Sequence, residues 1–349
     1  MHHLFQNINL LLKYSLIFST FILIMDQNNI NSIIKQQLRN TLEKTNFSSL
    51  GKLYRGKVRD NYILNDKRII IATDRLSAFD RVITTIPFKG QMLNQVSSFW
   101  FEKTKNIVKN HIIKNLDPNV SIVHQCESIP IEIIIRAYLT GTSWRNYEKG
   151  LPTSGIMPPK GMRKNQILDD ILVTPSTKAE SGHDIYIARE QIVNEKMVDK
   201  EVYEKMEEAA IKLFKFGQEY CKKNGLILVD TKYEFGIKDG ELMVIDEIHT
   251  QDSSRFWILD SYQDKFDNNE EPEILDKEIF RGWLMNTYPD IFPNIKPDQE
   301  IPPISEDIKI ELVKRYMKSY AKITGSEFIL KISNVTERIE ENLRNVNLL

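Results

Sequence analysis

At 349 residues the chain is long enough to bury a substantial core in one large domain or two modest ones. With 41% hydrophobic and 27% charged residues the composition excludes wholesale disorder, and a formal net charge of -1 excludes a general affinity for polyanions, so nucleic acid is not an expected partner. Two cysteines, Cys126 and Cys221, are too few for a disulfide framework or a four-cysteine zinc site and point to a reducing, cytoplasmic setting with packed thiols.

The first element is apolar. Ile8 to Met25 has the length of a membrane segment or a signal core, yet Lys13 interrupts it, no strong positive charge precedes it and no small-residue cleavage site follows. The expectation is that residues 1–25 form a leader outside the working protein, that translation starts at Met25 and that no membrane is a partner. From Ile30 to Lys44, apolar residues at 30, 33, 34, 38 and 42 predict a short amphipathic helix. Gly51 to Leu64 and Arg68 to Ala72 then read as a hairpin with Gly56, Lys57, Arg59 and Asp60 clustered. Glycine beside cations lets backbone approach a polyphosphate, but a solvated basic turn is the plainer reading, and no Walker A pattern is present.

Thr73 to Val82 packs Asp74, Arg75, Ser77 and Asp80 after a strand, either as a ligand loop or as the capped start of a helix. Gly90 to Lys103 reads as the helix that follows, with Phe99, Trp100 and Phe101 in the core. A strand from Ile129 to Ile135 delivers Arg136, followed by Gly141-Thr142-Ser143, a cation and hydroxyls suited to a phosphate or carboxylate or, equally, to a structural ion pair. Gly150 to Gln166 is a proline- and glycine-rich loop. In Val173 to Ile187, which carries Lys178, His183 reads as a packing or surface histidine rather than a base beside Asp184. Lys200 to Asn224 is an amphipathic helix stopped by Gly225.

Two strands follow, Leu226 onward and Leu242 to Ile248, joined at Lys238-Asp239-Gly240. A three-residue loop ending on Gly240 places Tyr233, Phe235, Met243 and Ile245 on one face and Lys232, Glu234 and Asp246 on the other; a two-residue Asp239-Gly240 turn separates Glu234 from Asp246. The first register is preferred because it leaves an apolar face to bury. Its polar face is either a Mg²⁺ and phosphate site or a solvated edge. Asp264 to Asp276 reads as an exposed charged loop, followed by helices at Phe280 to Thr287, Ile308 to Thr324 and Ser333 to Leu343.

Seven segments in order, YRGKVRDNY, TDRLSAFD, KGQMLNQVSSFWF, RAYLTGTSW, TPSTKAESGHD, LVDTKYEFG and DEIHTQDSSRFW, resemble the SAICAR synthetase family of purine biosynthesis in its longer, yeast-like form. The resemblance covers Tyr54 to the C-terminus. It implies an α+β fold in which an antiparallel-sheet N-terminal lobe (26–135) packs on a larger α+β lobe (136–349), with ATP in the cleft between them. It implies an ATP- and Mg²⁺-dependent ligase that joins L-aspartate to the carboxylate of carboxyaminoimidazole ribonucleotide (CAIR), as a monomer or small homo-oligomer.

By the same resemblance, Gly56, Lys57 and Arg59 cover ATP, Lys232, Glu234 and Asp246 contact nucleotide, and Glu234 and Asp246 hold the metal. Arg136, Thr142, Ser143, Asp252 and Arg255 hold CAIR, and Lys232, Lys178 and Arg255 serve catalysis. Another ATP-dependent carboxylate ligase would share Lys57, Glu234 and Asp246 but need not share Arg136 with Gly141-Thr142 or Asp252 with Arg255, whereas a non-catalytic nucleotide binder would tolerate loss of the two carboxylates.

Overall fold

The computed structural model of the chain describes residues 29–178 and 185–349. The expectations for the leader, the Met25 start, His183 and Asp184 lie outside them. Helix α1 (29–37) is shorter than its apolar pattern, the chain leaving the helix after Gln37. Strands β1 (Lys52–Arg55), β2 (Arg59–Ile63) and β3 (Lys67–Ala72) form a meander; a hairpin of β4 (Arg75–Ala78) and β5 (Arg81–Thr85), helix α2 (Lys89–Thr104), the short β6 (Lys109–Asn110) and a second hairpin, β7 (Ile112–Asp117) and β8 (Val120–His124), follow. Five of these strands make an antiparallel sheet in the order β1-β2-β3-β8-β7.

The second sheet is built on two long strands, β9 (Glu127–Tyr138) and β12 (Leu226–Lys238). Between them come α3 (Gly141–Glu148), β10 (Ile167–Val173), β11 (Ser176–Thr177), α4 (Arg189–Asn194) and α5 (Lys200–Lys223); after them come β13 (Glu241–Ile245), β14 (Ser254–Ile258), α6 (Leu259–Asp267), α7 (Glu278–Thr287), α8 (Glu306–Thr324) and α9 (Val335–Arg344). The path is β10-β9-β12-β13-β6, with β11 on β9 and β14 on β12. The fold is therefore α+β, an N-terminal antiparallel sheet beside a larger mixed α+β lobe, as expected. The expected division at residue 135 falls inside β9, which lies wholly in the second sheet, and α9 returns to cover the first.

Each core follows from residue spacing. On β3, Ile69 and Ile71 share a face and pack with Tyr62, Val120 and the i, i+4 series Val335, Ile339 and Leu343 of α9. Ile70, on the opposite face, looks into the space between the sheets. In the larger lobe Ile131, Ile133 and Ile135 of β9 lie beside Tyr233 and Phe235 of β12, all buried against Met206, Ala210, Leu213 and Phe214 of α5. Burial of each such side chain contributes roughly 1.5–3 kcal/mol, so this face holds the two strands and leaves the other for chemistry. Helix α5 is capped by Asp199, whose carboxylate accepts from the Glu201 and Val202 amides, and it ends before Gly225 at φ 69.

Candidate active site

The hairpin register differs from the preferred one. Lys238 pairs with Glu241, so the loop is the two-residue Asp239-Gly240 turn, with φ of 53 and 78. Asp-Gly in a two-residue loop is a strong local preference, and it outweighs the tidiness of a uniform apolar face. Glu234 consequently pairs with Ile245 and Phe235 with Val244. The buried face is Tyr233, Phe235 and Val244, whereas Met243 and Ile245 lie on the Glu234 side with Cys126, in a small cluster between the sheets.

Strand alternation alone would now turn Asp246 away from Glu234. It does not, because β13 ends at Ile245 and Asp246 takes a left-handed φ of 67. Both carboxylates line a cleft of about 60 Å³ between the sheets, together with Lys178, Arg68 and Asn61. A backbone kink brings the two groups together, not the register.

On the cleft-facing side of β12, Lys232 Nζ sits 2.8 Å from Glu132 Oε1 and 2.5 Å from Glu234 Oε1, and Lys178 pairs with Glu234 Oε2. Burial would push the Glu234 carboxyl up, but Lys232 and Lys178 override it and hold it well below the usual carboxylate range. Burial likewise opposes the Lys232 charge, and Glu234 with Glu132 reverse this and raise it well above the ordinary lysine value. Arg59 reaches across from β2 to Asp246 Oδ1 at 2.7 Å and Glu247 Oε2 at 2.5 Å. Asp246 is shifted upward by burial, with Glu234 and Glu247 adding to the shift against Arg59.

These carboxylates suit a cation that arrives with phosphate. Mg²⁺ commonly takes one or two carboxylates and completes its shell with phosphate oxygens and water. Asp246 shares the single Arg59 guanidinium with Glu247; Glu234 has both oxygens engaged by ammonium groups, so ligation there requires one lysine to turn away. Among the described residues no three acidic, histidine or cysteine side chains could hold a metal alone.

The Gly56-Lys57 turn is anchored from below by buried Arg75, which donates to the carbonyls of Gly56 at 3.0 Å and Lys57 at 2.9 Å and pairs with Asp60 at 2.8 Å. Lys57 itself does not join the cluster. Its ammonium lies 2.6 Å from Asp80, with the two side chains 51% and 45% exposed, a pairing too solvated to resist a phosphate. Thr73 to Val82 forms most of the β4–β5 hairpin rather than a helix start, although Asp74 does accept from the Gly90 amide at the head of α2, at 3.0 Å.

Four residues back along β12, roughly 13 Å at strand rise, Asp230 makes a second cluster. Asp230 lies opposite Arg136 on β9 and Arg255 on β14, and its Oδ2 accepts from both, at 3.0 and 2.5 Å. Arg136 also donates to Thr174 at 3.0 Å and to the Tyr186 hydroxyl at 2.9 Å. Arg255 reaches Glu278 at 3.4 Å, and Glu278 is held by Arg281 as well. Gly141 holds a left-handed φ of 57, and a Cβ there would lie 2.6 Å from Arg255 Nη2, so a side chain at the start of α3 would be strained and would displace this guanidinium.

These groups line a cavity of about 290 Å³ that also touches Glu132 and Lys232, joining the two clusters. Thr142 and Asp252 line it too, but Ser143 is turned inward, its hydroxyl donating to the Thr140 carbonyl at 2.9 Å. Asp252 is braced from behind by fully buried Lys89 at 2.7 Å and by the Tyr316 hydroxyl at 3.2 Å. Although burial favours its protonation, Lys277 and Lys89 hold the Asp252 carboxyl below the usual range.

The SAICAR synthetase family model matches residues 52–294, a span that contains every residue of both clusters. The chain belongs to the SAICAR synthetase family. A phosphoribosylaminoimidazole-succinocarboxamide synthase from Legionella pneumophila (strain Paris) is 42% identical over 304 residues, covering 84% of this chain and 95% of that protein. The SAICAR-synthase from Saccharomyces cerevisiae complexed with SAICAR superposes with a TM-score of 0.70 at 31% identity, covering 82% of this chain and 99% of the yeast chain. A type-2 SAICAR synthetase in complex with ADP superposes at 0.61 with 25% identity, covering 80% of this chain and all of that one.

Sequence reading had passed over Asp230, Lys277, Glu278 and Arg281, all on the cavity wall of this SAICAR synthetase fold. Glu278 and Arg281, three apart in the first turn of α7, were a legible pair. The expected exposed loop at Asp264 to Asp276 is also different: it begins inside α6 and ends on Asp276, which is 1% exposed. Asp276 accepts from the Phe256 and Glu278 amides, both at 2.8 Å, and so ties β14 to α7.

Burial pushes the Asp276 carboxyl up to about 7 despite those donors. Since the folded value exceeds the unfolded one, near 3.8, its stabilising contribution is complete below the unfolded value and is lost as pH rises through about 7. The urea midpoint of the wild type is therefore expected to decline between about pH 4 and pH 7, and Asp276→Asn to show a shallower decline. Equal slopes would contradict the assignment.

Proposed function

We propose that this chain is an ATP-dependent ligase that joins L-aspartate to the carboxylate of CAIR, giving SAICAR, ADP and phosphate. Homology supports the coarser reading, a SAICAR synthetase-type ligase of purine biosynthesis. The observation that carries the finer one is the pairing of two clusters on one strand face, bridged by one cavity. A substrate with a phosphate at one end and a carboxylate at the other suits that spacing. Arg136, Arg255 and Thr142 would take the phosphoribosyl end, and the carboxylate would lie toward Lys232, Lys178 and Glu234.

A carboxylate is a poor electrophile. In the reading proposed, its oxygen attacks the terminal phosphorus of ATP, ADP leaves, and the resulting acyl phosphate is attacked by the aspartate amine; the carbon–oxygen bond breaks, phosphate departs with the bridging oxygen, and the amine loses a proton. No serine or cysteine nucleophile is needed, consistent with two buried free thiols. Lys232 and Lys178 would exchange Glu234 for phosphoryl oxygens as charge moves, Arg59 would hold Asp246 in place, and Lys57 would leave Asp80 to cover the phosphates from the Gly56 turn. Mg²⁺ at Asp246, and at Glu234 once a lysine has turned, would supply charge neutralisation on the transferring group. Cytoplasmic residence is part of the proposal. Among the described residues no helix is long and apolar enough to cross a membrane.

The test is ADP release by the purified protein with ATP, Mg²⁺, CAIR and L-aspartate, each omitted in turn. Turnover that requires all four is the expected result. ADP release indifferent to aspartate, or none with the complete mixture, would overturn the proposal.

A further inference from the structure

Both ends of the site hang on one loop, residues 246–253 between β13 and β14. Asp246 stands at its start, against Arg59; Asp252 stands near its end, against Lys89. The middle is inward and wholly buried: His249, Thr250 and Gln251 are each 0% exposed. His249 holds a left-handed φ of 49, uncommon for a residue with a side chain although histidine adopts it more readily than most.

Those surroundings are specific. The His249 Nε2 and the Tyr233 hydroxyl share a hydrogen bond of 2.5 Å, and Tyr233 is the residue between Lys232 and Glu234, pointing to the opposite face of β12. The Trp100 ring of α2 meets the imidazole edge-on at 4.7 Å between centroids. From α5, Gly217 closes the last side with its backbone: a Cβ there would run into Cε1 and come within 2.8 Å of Nδ1. The imidazole has no room to move and, with burial lowering its pKa to about 3, stays neutral.

The loop tightens around it. Thr250 Oγ1 donates to Glu247 Oε2 at 2.5 Å and accepts from the amides of Asp252 and Ser253 at 3.2 Å each; the Ser253 carbonyl accepts from the Lys232 amide at 3.1 Å. We infer that His249 is a positioning residue for the reaction, a buried strut that ties the loop to the back of β12 and fixes Asp246 and Asp252 at the spacing the substrates need. This rests on the reading of those two ends as the nucleotide and CAIR ends. The bond to Tyr233 makes the strut answer to the strand that carries Lys232 and Glu234.

Tyr233→Phe removes the bond and keeps the ring, and Gly217→Ala presses on the imidazole from a helix that touches no substrate. Hydrogen exchange of the loop amides, read by mass spectrometry, reports on the strut whether or not the protein turns over. Exchange across 246–253 is expected to rise by about tenfold in Tyr233→Phe while β12 stays protected. In the wild-type-calibrated assay the KM values for ATP and for CAIR are expected to rise together, by about tenfold, with kcat falling less. Unchanged loop exchange, or a lowered melting temperature with both KM values unchanged, would overturn the strut. A silent wild type would count against the ligase reading alone, and the exchange result would still decide this inference.

Discussion

Glu234→Gln is expected to lower turnover by roughly 10³-fold while leaving the protein folded, because positioned charge is the main catalytic resource in phosphoryl transfer. Glu234 receives Lys232 on one oxygen and Lys178 on the other, and among the described residues no other carboxylate pairs with both ammonium groups. Loss of its charge leaves Lys232 with the Glu132 pair and takes the Glu234 pair from Lys178, so both are misplaced for the transferring phosphoryl group. Glu234→Ala goes further: removing one partner of a buried ion pair costs about 3–5 kcal/mol, although Glu132 offsets part of this for Lys232. The glutamine variant separates chemistry from folding. Its melting temperature should stay near that of the wild type while ADP release collapses, and wild-type turnover in either variant would remove Glu234 from the mechanism.

Arg255→Ala has the other large expected effect, at the opposite end of the cavity. Its KM for CAIR should rise about 100-fold, near 2.7 kcal/mol of lost binding, with the KM for ATP almost unchanged. The fold should tolerate the change because Asp230 retains Arg136 and Glu278 retains Arg281. Arg136 is less informative, since it is 3% exposed and also holds Thr174 and Tyr186. Arg255→Lys keeps the charge but loses the planar fork, so an intermediate KM is expected from steady-state kinetics. Equal rises in both KM values would place Arg255 in general support of the lobe rather than at CAIR.

Local chemistry was legible in the sequence, and long-range geometry was not. The 3.6-residue spacing from Val202 to Tyr220 and the stop at Gly225 locate α5 closely, and the closing helices α8 and α9 fall where their apolar patterns put them. The seven ordered segments carry Arg59, Arg136, Lys178, Lys232, Glu234, Asp246 and Arg255, whereas Glu132, Tyr186, Glu278 and Arg281 lie outside them. Burial of a single face does not predict the hairpin register, because the second face is itself partly apolar and looks onto the other sheet. Convergence of Glu234 and Asp246 survived only through a left-handed residue, which carries no periodicity to read. Asp276 looked solvated because it ends a charged run; its burial depends on backbone donors 20 and 2 residues away, visible only in three dimensions.

The central claim is that the carboxylate is activated as an acyl phosphate in the cavity between the two clusters. CAIR carrying ¹⁸O in its carboxylate, with unlabelled ATP and L-aspartate, tests it directly by mass spectrometry of the inorganic phosphate released. The account predicts one labelled oxygen in each phosphate, because the oxygen that attacked phosphorus leaves with it. Phosphate free of label, formed alongside aspartate-dependent product, would contradict it.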